Sequence, residues 1–76
     1  MQVYANKSGV SGVKAYEIGP DYIVVTFKGG AICNYLYTYD STGEECVEKM
    51  KQLAESGFGL NSFISRFVKN RYARKW

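Results

Sequence analysis

Histidine is absent from the 76 residues, proline and tryptophan occur once each, and cysteine occurs twice. Without histidine the chain lacks the commonest general base at neutral pH and the commonest zinc ligand. Cys33 and Cys46 are too few for the disulfide framework of a small secreted domain, and no Cys-x-x-Cys spacing supports a redox pair. Both are expected as reduced, buried thiols of a cytoplasmic protein. The longest purely apolar run, Tyr22-Ile23-Val24-Val25, falls far short of the roughly 18 residues of a membrane span. The segment from Met1 to Lys7 has no apolar stretch of the kind a secretory signal carries. The serines have no base to partner them, and Glu44, Glu45 and Glu48 read as a solvated helix face, with Glu45 to Lys49 an i,i+4 surface pair. The chain is expected to be non-catalytic, with no metal, no cofactor and no membrane segment.

At this length one domain, residues 1–76, is expected, and a core this small leaves little surplus stability for strained or buried polar machinery. The composition, 46% hydrophobic and 22% charged, is that of an ordinary globular protein, but seven of the twelve aromatic residues are tyrosines. The net charge of +3 is unevenly spread: residues 1–39 carry +1, residues 40–61 carry −3, and residues 62–76 carry +5 with no acid. A basic end of this kind points first to phosphate contact.

Residues 5–12 read as a loop from their serines and glycines, with Val3 and Tyr4 either pairing with an edge strand or fraying. Val13–Ile18 and Tyr22–Phe27 have strand composition and are joined by a Gly19-Pro20-Asp21 turn; Lys28-Gly29-Gly30 turns the chain into a third strand over Ala31–Tyr39. Connections this short require an antiparallel meander. Ser41 and Thr42 each precede a glutamate by three residues, so either can open a helix that runs to about Ser56, with Gly57 as its left-handed stop. Cys46, Val47, Met50, Leu53 and Ala54 form its core-facing stripe. Asn61 can cap a second helix, with Phe63, Ile64, Phe67, Val68 and Tyr72 on one face and Arg71, Arg74 and Lys75 in its last turn. The expected fold is α+β: a three-stranded antiparallel meander followed by two helices (β-β-β-α-α) packed on the sheet.

Ser56-Gly57-Phe58-Gly59-Leu60-Asn61-Ser62-Phe63 is superficially like the RNP1 strand of an RNA-recognition motif. The element order is wrong for that fold, and a tight interhelical connection with Phe58 and Leu60 packed beneath it fits better. Gly29-Gly30 is a hairpin turn rather than a phosphate loop, because no helix follows. Two features bear on function. Tyr35, Tyr37 and Tyr39 recur at strand spacing on one face and could stack bases, or could cover the core with their hydroxyls at the rim. Arg66, Lys69, Arg71, Arg74 and Lys75 could contact phosphates, or could simply complement a helix dipole.

Ser11, Val13 and Tyr16, followed by Val25-x-Phe27-x-Gly29-Gly30, a Tyr-x-Tyr pair, Ser56-Gly57 and Leu60-Asn61-x-x-Ile64, resemble the KTSC domain. That short domain is named for its place at the C-terminus of some lysyl-tRNA synthetases and also occurs as a free-standing bacterial protein. The resemblance covers residues 11–72; either Tyr35/Tyr37 or Tyr37/Tyr39 carries the Tyr-x-Tyr. The family's usual Val-Pro is replaced by Asp40-Ser41-Thr42-Gly43. The resemblance implies RNA binding only by association with the synthetase. Two readings stay open: an RNA or single-stranded nucleic-acid binding module using the tyrosines and basic residues named above, and a protein-interaction or self-associating module.

Overall fold

The structure, a computed structural model, describes all residues except Ser8, Val10, Ser11, Ala31 and Ile32. Ser11 of the resemblance, and the expected start of the third strand, therefore lie outside the described residues. The described residues form an α+β fold built on one antiparallel sheet in the order β1 (Gln2–Val3), β2 (Val13–Ile18), β3 (Tyr22–Phe27), β4 (Asn34–Thr38) and β5 (Arg74–Lys75). The three central strands are the expected meander, and two further strands extend it. Gln2 and Val3 pair with Tyr16 and Ala15, so the N-terminal segment is an edge strand. At the other edge Lys75 pairs with Tyr35 and Arg74 with Leu36. The tail is thus strand where a helix was expected: the chain leaves the helical layer after Val68, and Ala73 N–H donates to Leu36 C=O at 2.7 Å, docking it on the free side of β4.

The sheet ends one residue earlier than expected, because Tyr39 opens a short helix, α1 (Tyr39–Thr42). Thr38 caps it reciprocally: its Oγ1 accepts from Ser41 N–H at 3.0 Å while its own N–H donates to Ser41 Oγ at 3.1 Å. The capping box therefore lies three residues upstream of Ser41 and four upstream of Thr42, the two positions expected. The main helix, α2 (Glu44–Ser56), opens on Gly43 without a side-chain cap, carries Glu44 and Glu45 in its first turn, and stops at Gly57. Its expected stripe is the buried one. Val47, Met50 and Ala54 are fully buried against Ile23, Val25 and Tyr37, and Cys46 and Leu53 are partly buried beside them. Each fully buried Val, Ile or Met side chain contributes about 1.5–3 kcal/mol.

Beyond Gly57, α3 (Leu60–Phe63) starts from Gly59 rather than Asn61 and runs into a π-helical turn, Ile64–Val68, closed by Lys69 N–H to Ile64 C=O at 2.6 Å. That wider turn changes which side chains face inward. Ile64 and Val68 are buried as expected, but Phe67 is 59% exposed. In the connection, Leu60 is buried and Phe58 points outward, against the expectation that both pack underneath. The two cysteines are free and partly rather than fully buried. Among the described residues no helix is long and apolar enough to cross a membrane.

Candidate functional site

Cross-strand register decides what the tyrosines can do. Tyr37 pairs with Ile23 and Tyr35 with Val25, so both rings lie on the face that α2 and the π-helical turn cover. Tyr37 is 1% exposed, and burial, with smaller contributions from Tyr35 and Tyr72, holds its phenol well above its ordinary range. Its ring cannot serve as an open stacking platform. Tyr39 has left the strand. Its hydroxyl donates to Glu48 Oε2 at 2.5 Å and reaches Pro20 C=O at 3.2 Å, while Lys51 Nζ lies 5.6 Å from its ring centroid. The three rings expected to form one surface are divided between core, groove wall and a polar contact at the opposite end of the strand.

Tyr35 remains accessible at one end of the covered face, where the sheet and the π-helical turn diverge. There it makes edge-on contacts with Phe27 (centroids 5.3 Å apart, 88° between planes) and Tyr72 (5.0 Å, 78°), and Tyr72 also meets Tyr37 at 6.5 Å. These rings floor a groove of about 630 Å³. Lys28 and Gly29 at the β3 end bound one side; Asn61, Ile64, Ser65, Lys69 and Asn70 bound the other. No acidic residue is among the described residues that line it. Lys75 adds a third cation: its Nζ sits 5.3 Å from the Tyr72 centroid, and contact with Tyr72 holds its ammonium above the ordinary lysine value.

The C-terminal cations do not converge. Lys69 lines the groove and Lys75 lies over one of its rings, but Arg74 projects from the opposite sheet face, since neighbouring strand residues alternate. There its guanidinium lies 5.5 Å from the Trp76 ring centroid. Arg66 and Arg71 are exposed and do not line the groove, and the Arg71 carbonyl accepts from the buried Thr42 hydroxyl at 2.8 Å. Sequence reasoning therefore identified Tyr35, Tyr37, Lys69 and Lys75 of this site and missed Lys28, Tyr72, Asn61, Ser65 and Asn70. Lys28 beside Gly29-Gly30 is a fair turn signal, but nothing local says that the turn faces Lys69.

Lys69 is also conformationally unusual. Its backbone sits at φ 44°, ψ −114°, a region costly for any residue with a Cβ. Strain at a cation on the rim of a groove is of the kind found where function fixes geometry. Among the described residues no group of three or more metal-ligating side chains occurs. No family model, no curated protein and no solved structure matches the chain.

Proposed function

We propose that this protein is a small non-catalytic binding module for RNA or another single-stranded nucleic acid, held in the groove between the β3–β4 end of the sheet and the π-helical turn. The observation that carries this reading is the chemistry of the lining: Tyr35 and Tyr72 rings between Lys28, Lys69 and Lys75, with no carboxylate among them. A phosphodiester satisfies the cations, a base lies against an aromatic wall, and Asn61, Ser65 and Asn70 supply donors and acceptors for base or sugar edges. The open, shallow form suits a strand end or a looped-out nucleotide rather than a duplex, whose bases are not free to enter. The resemblance to the KTSC domain points the same way.

Fluorescence anisotropy with mixed-sequence single-stranded RNA and DNA at low salt tests the proposal. Binding should appear with both, and Tyr72→Ala should weaken it by roughly 1–3 kcal/mol, the range of a lost stacking contact. Absence of binding at low salt ends it.

A further inference from the structure

The groove gathers more positive charge than a single phosphodiester needs. Lys28 and Lys69 line it, and Lys75 lies over the Tyr72 ring at its floor. Among the described residues the one ion pair joins Lys51 to Glu48, so no carboxylate neutralises these three ammonium groups. The other cations of the tail, Arg66, Arg71 and Arg74, do not line the groove. The charge is therefore pooled at one place. At about 630 Å³ the volume is that of a small-molecule site, with room for about one or two nucleotides. The interior of a strand brings only one negative charge per phosphodiester into such a space.

We propose that the groove takes the phosphorylated end of a single strand, a last nucleotide that bears a terminal phosphomonoester; this rests on the nucleic-acid reading given above. A phosphomonoester carries about −1.5 to −2 charges at pH 7 and three strong acceptor oxygens. Together with the phosphodiester that joins the last nucleotide to its strand, it sets nearly three negative charges against three lysines. Gly29 lines the groove at φ 74°, and a Cβ built on it would meet nothing within 4 Å, so no side chain stands between a phosphate and the main chain there. The Lys69 main chain is fixed by its 2.6 Å hydrogen bond to Ile64 C=O, which limits where its ammonium can reach before a ligand arrives. The base of a terminal nucleotide has one face without a stacked neighbour, and Tyr35 and Tyr72 offer rings to it. A phosphorylated peptide would satisfy the lysines but bring no flat partner for those rings.

The test is fluorescence anisotropy at low salt with one RNA of about ten nucleotides, labelled internally and carrying a 5′-phosphate, a 3′-phosphate or hydroxyls at both ends. At least one phosphorylated form should bind about tenfold more tightly than the hydroxyl form. That advantage should shrink to about twofold or less when Lys28→Ala and Lys69→Ala are combined, both at exposed positions. It should shrink likewise between about pH 7.5 and 5, as the phosphomonoester takes up its second proton near pH 6. The charged and titratable groups at the groove are Lys28, Lys69, Lys75, Tyr35, Tyr37 and Tyr72, and the chain has no histidine, the side chain that ordinarily changes charge in that range. Equal binding of the three forms overturns the inference while the nucleic-acid reading stands; no binding by any form removes both. An advantage that survives the double substitution or the drop in pH overturns it too. So does a nucleoside monophosphate or a phosphoserine peptide that competes as well as the phosphorylated RNA, which would assign the groove to free nucleotides or to phosphoproteins.

Discussion

At the scale of single residues, two backbone positions and one hydrogen-bonded pair set the local energetics. Gly57 stops α2 at φ 76°, and a Cβ built there would fall 2.5 Å from the Cβ of Ala5, because the N-terminal segment crosses the helix end and Lys7 N–H donates to Gly57 C=O. Left-handed strain and collision add, so Gly57→Ala should cost about 2 kcal/mol or more, which thermal unfolding would register as a drop of roughly 8 °C or more for a chain of this size. Lys69 is the reverse case. Lys69→Gly relieves the positive-φ strain and should raise stability by about 1 kcal/mol while weakening nucleic-acid binding, so urea titration and anisotropy should move in opposite directions. Tyr39 and Glu48 titrate against each other. The hydrogen bond to Glu48, more than burial, pushes the Tyr39 phenol up to about 12 from 10.0, and contacts from Lys51 and then Tyr39 lower the Glu48 carboxyl. A raised phenol stabilises the fold below its unfolded value of 10.0, and that contribution is lost as pH rises towards 12. A lowered carboxyl contributes above its ordinary value and is lost as pH falls through the folded one. Glu48→Gln should bring one tyrosine down towards 10.0 in a near-ultraviolet titration and flatten both ends of the stability profile.

At the scale of elements, β5 is the least legible and the most consequential. Two residues cannot declare a strand by pattern, and a run of Arg, Ala, Arg and Lys after an apolar stripe is as good a helix end as a strand. Its form is decided by β4, whose free edge has main-chain groups to satisfy. Trp76 C=O accepts from Cys33 N–H (3.2 Å), Asn34 N–H (3.0 Å) and Asn34 Nδ2 (3.2 Å), and Ala73 N–H donates to Leu36 C=O. Truncation after Tyr72 should therefore lower the unfolding free energy by about 2 kcal/mol in urea, although every residue it removes is exposed. A truncated chain as stable as the full one would show that the tail only decorates the sheet. By contrast, the inner stripe and the stop of α2 were readable, because a 3.6-residue stripe and a glycine stop are local signals, whereas its start on an uncapped Gly43 was not. The π-helical turn was not: its extra residue leaves Ile64 and Val68 buried and moves only Phe67 outward, and no composition marks it.

At the scale of the whole molecule, the helices divide the sheet into a covered face with a groove at one end and an uncovered face, and the cations of the basic tail are divided between them. Had all five C-terminal cations engaged one strand, the salt dependence of binding would be steep. With Lys28, Lys69 and Lys75 about the groove, log K should fall against log salt with a slope near −2 for a single strand, and Lys28→Ala with Lys69→Ala should flatten it to about −0.7. A slope of −3.5 or steeper would return Arg66, Arg71 and Arg74 to the nucleic-acid interface.

Composition and spacing alone determined the α+β class, the three central strands, the inner stripe and stop of α2, and the face shared by Tyr35 and Tyr37, since each follows from periodicity or turn chemistry within one segment. Only the tertiary structure decided that this face lies under helices, that Tyr39 belongs to a helix, that the tail is a strand, and that Lys28 and Lys69 line one groove. These depend on pairings between residues tens of positions apart. Such contacts form when separate segments satisfy one another's hydrogen bonds and apolar surfaces, and no one segment carries that information by itself.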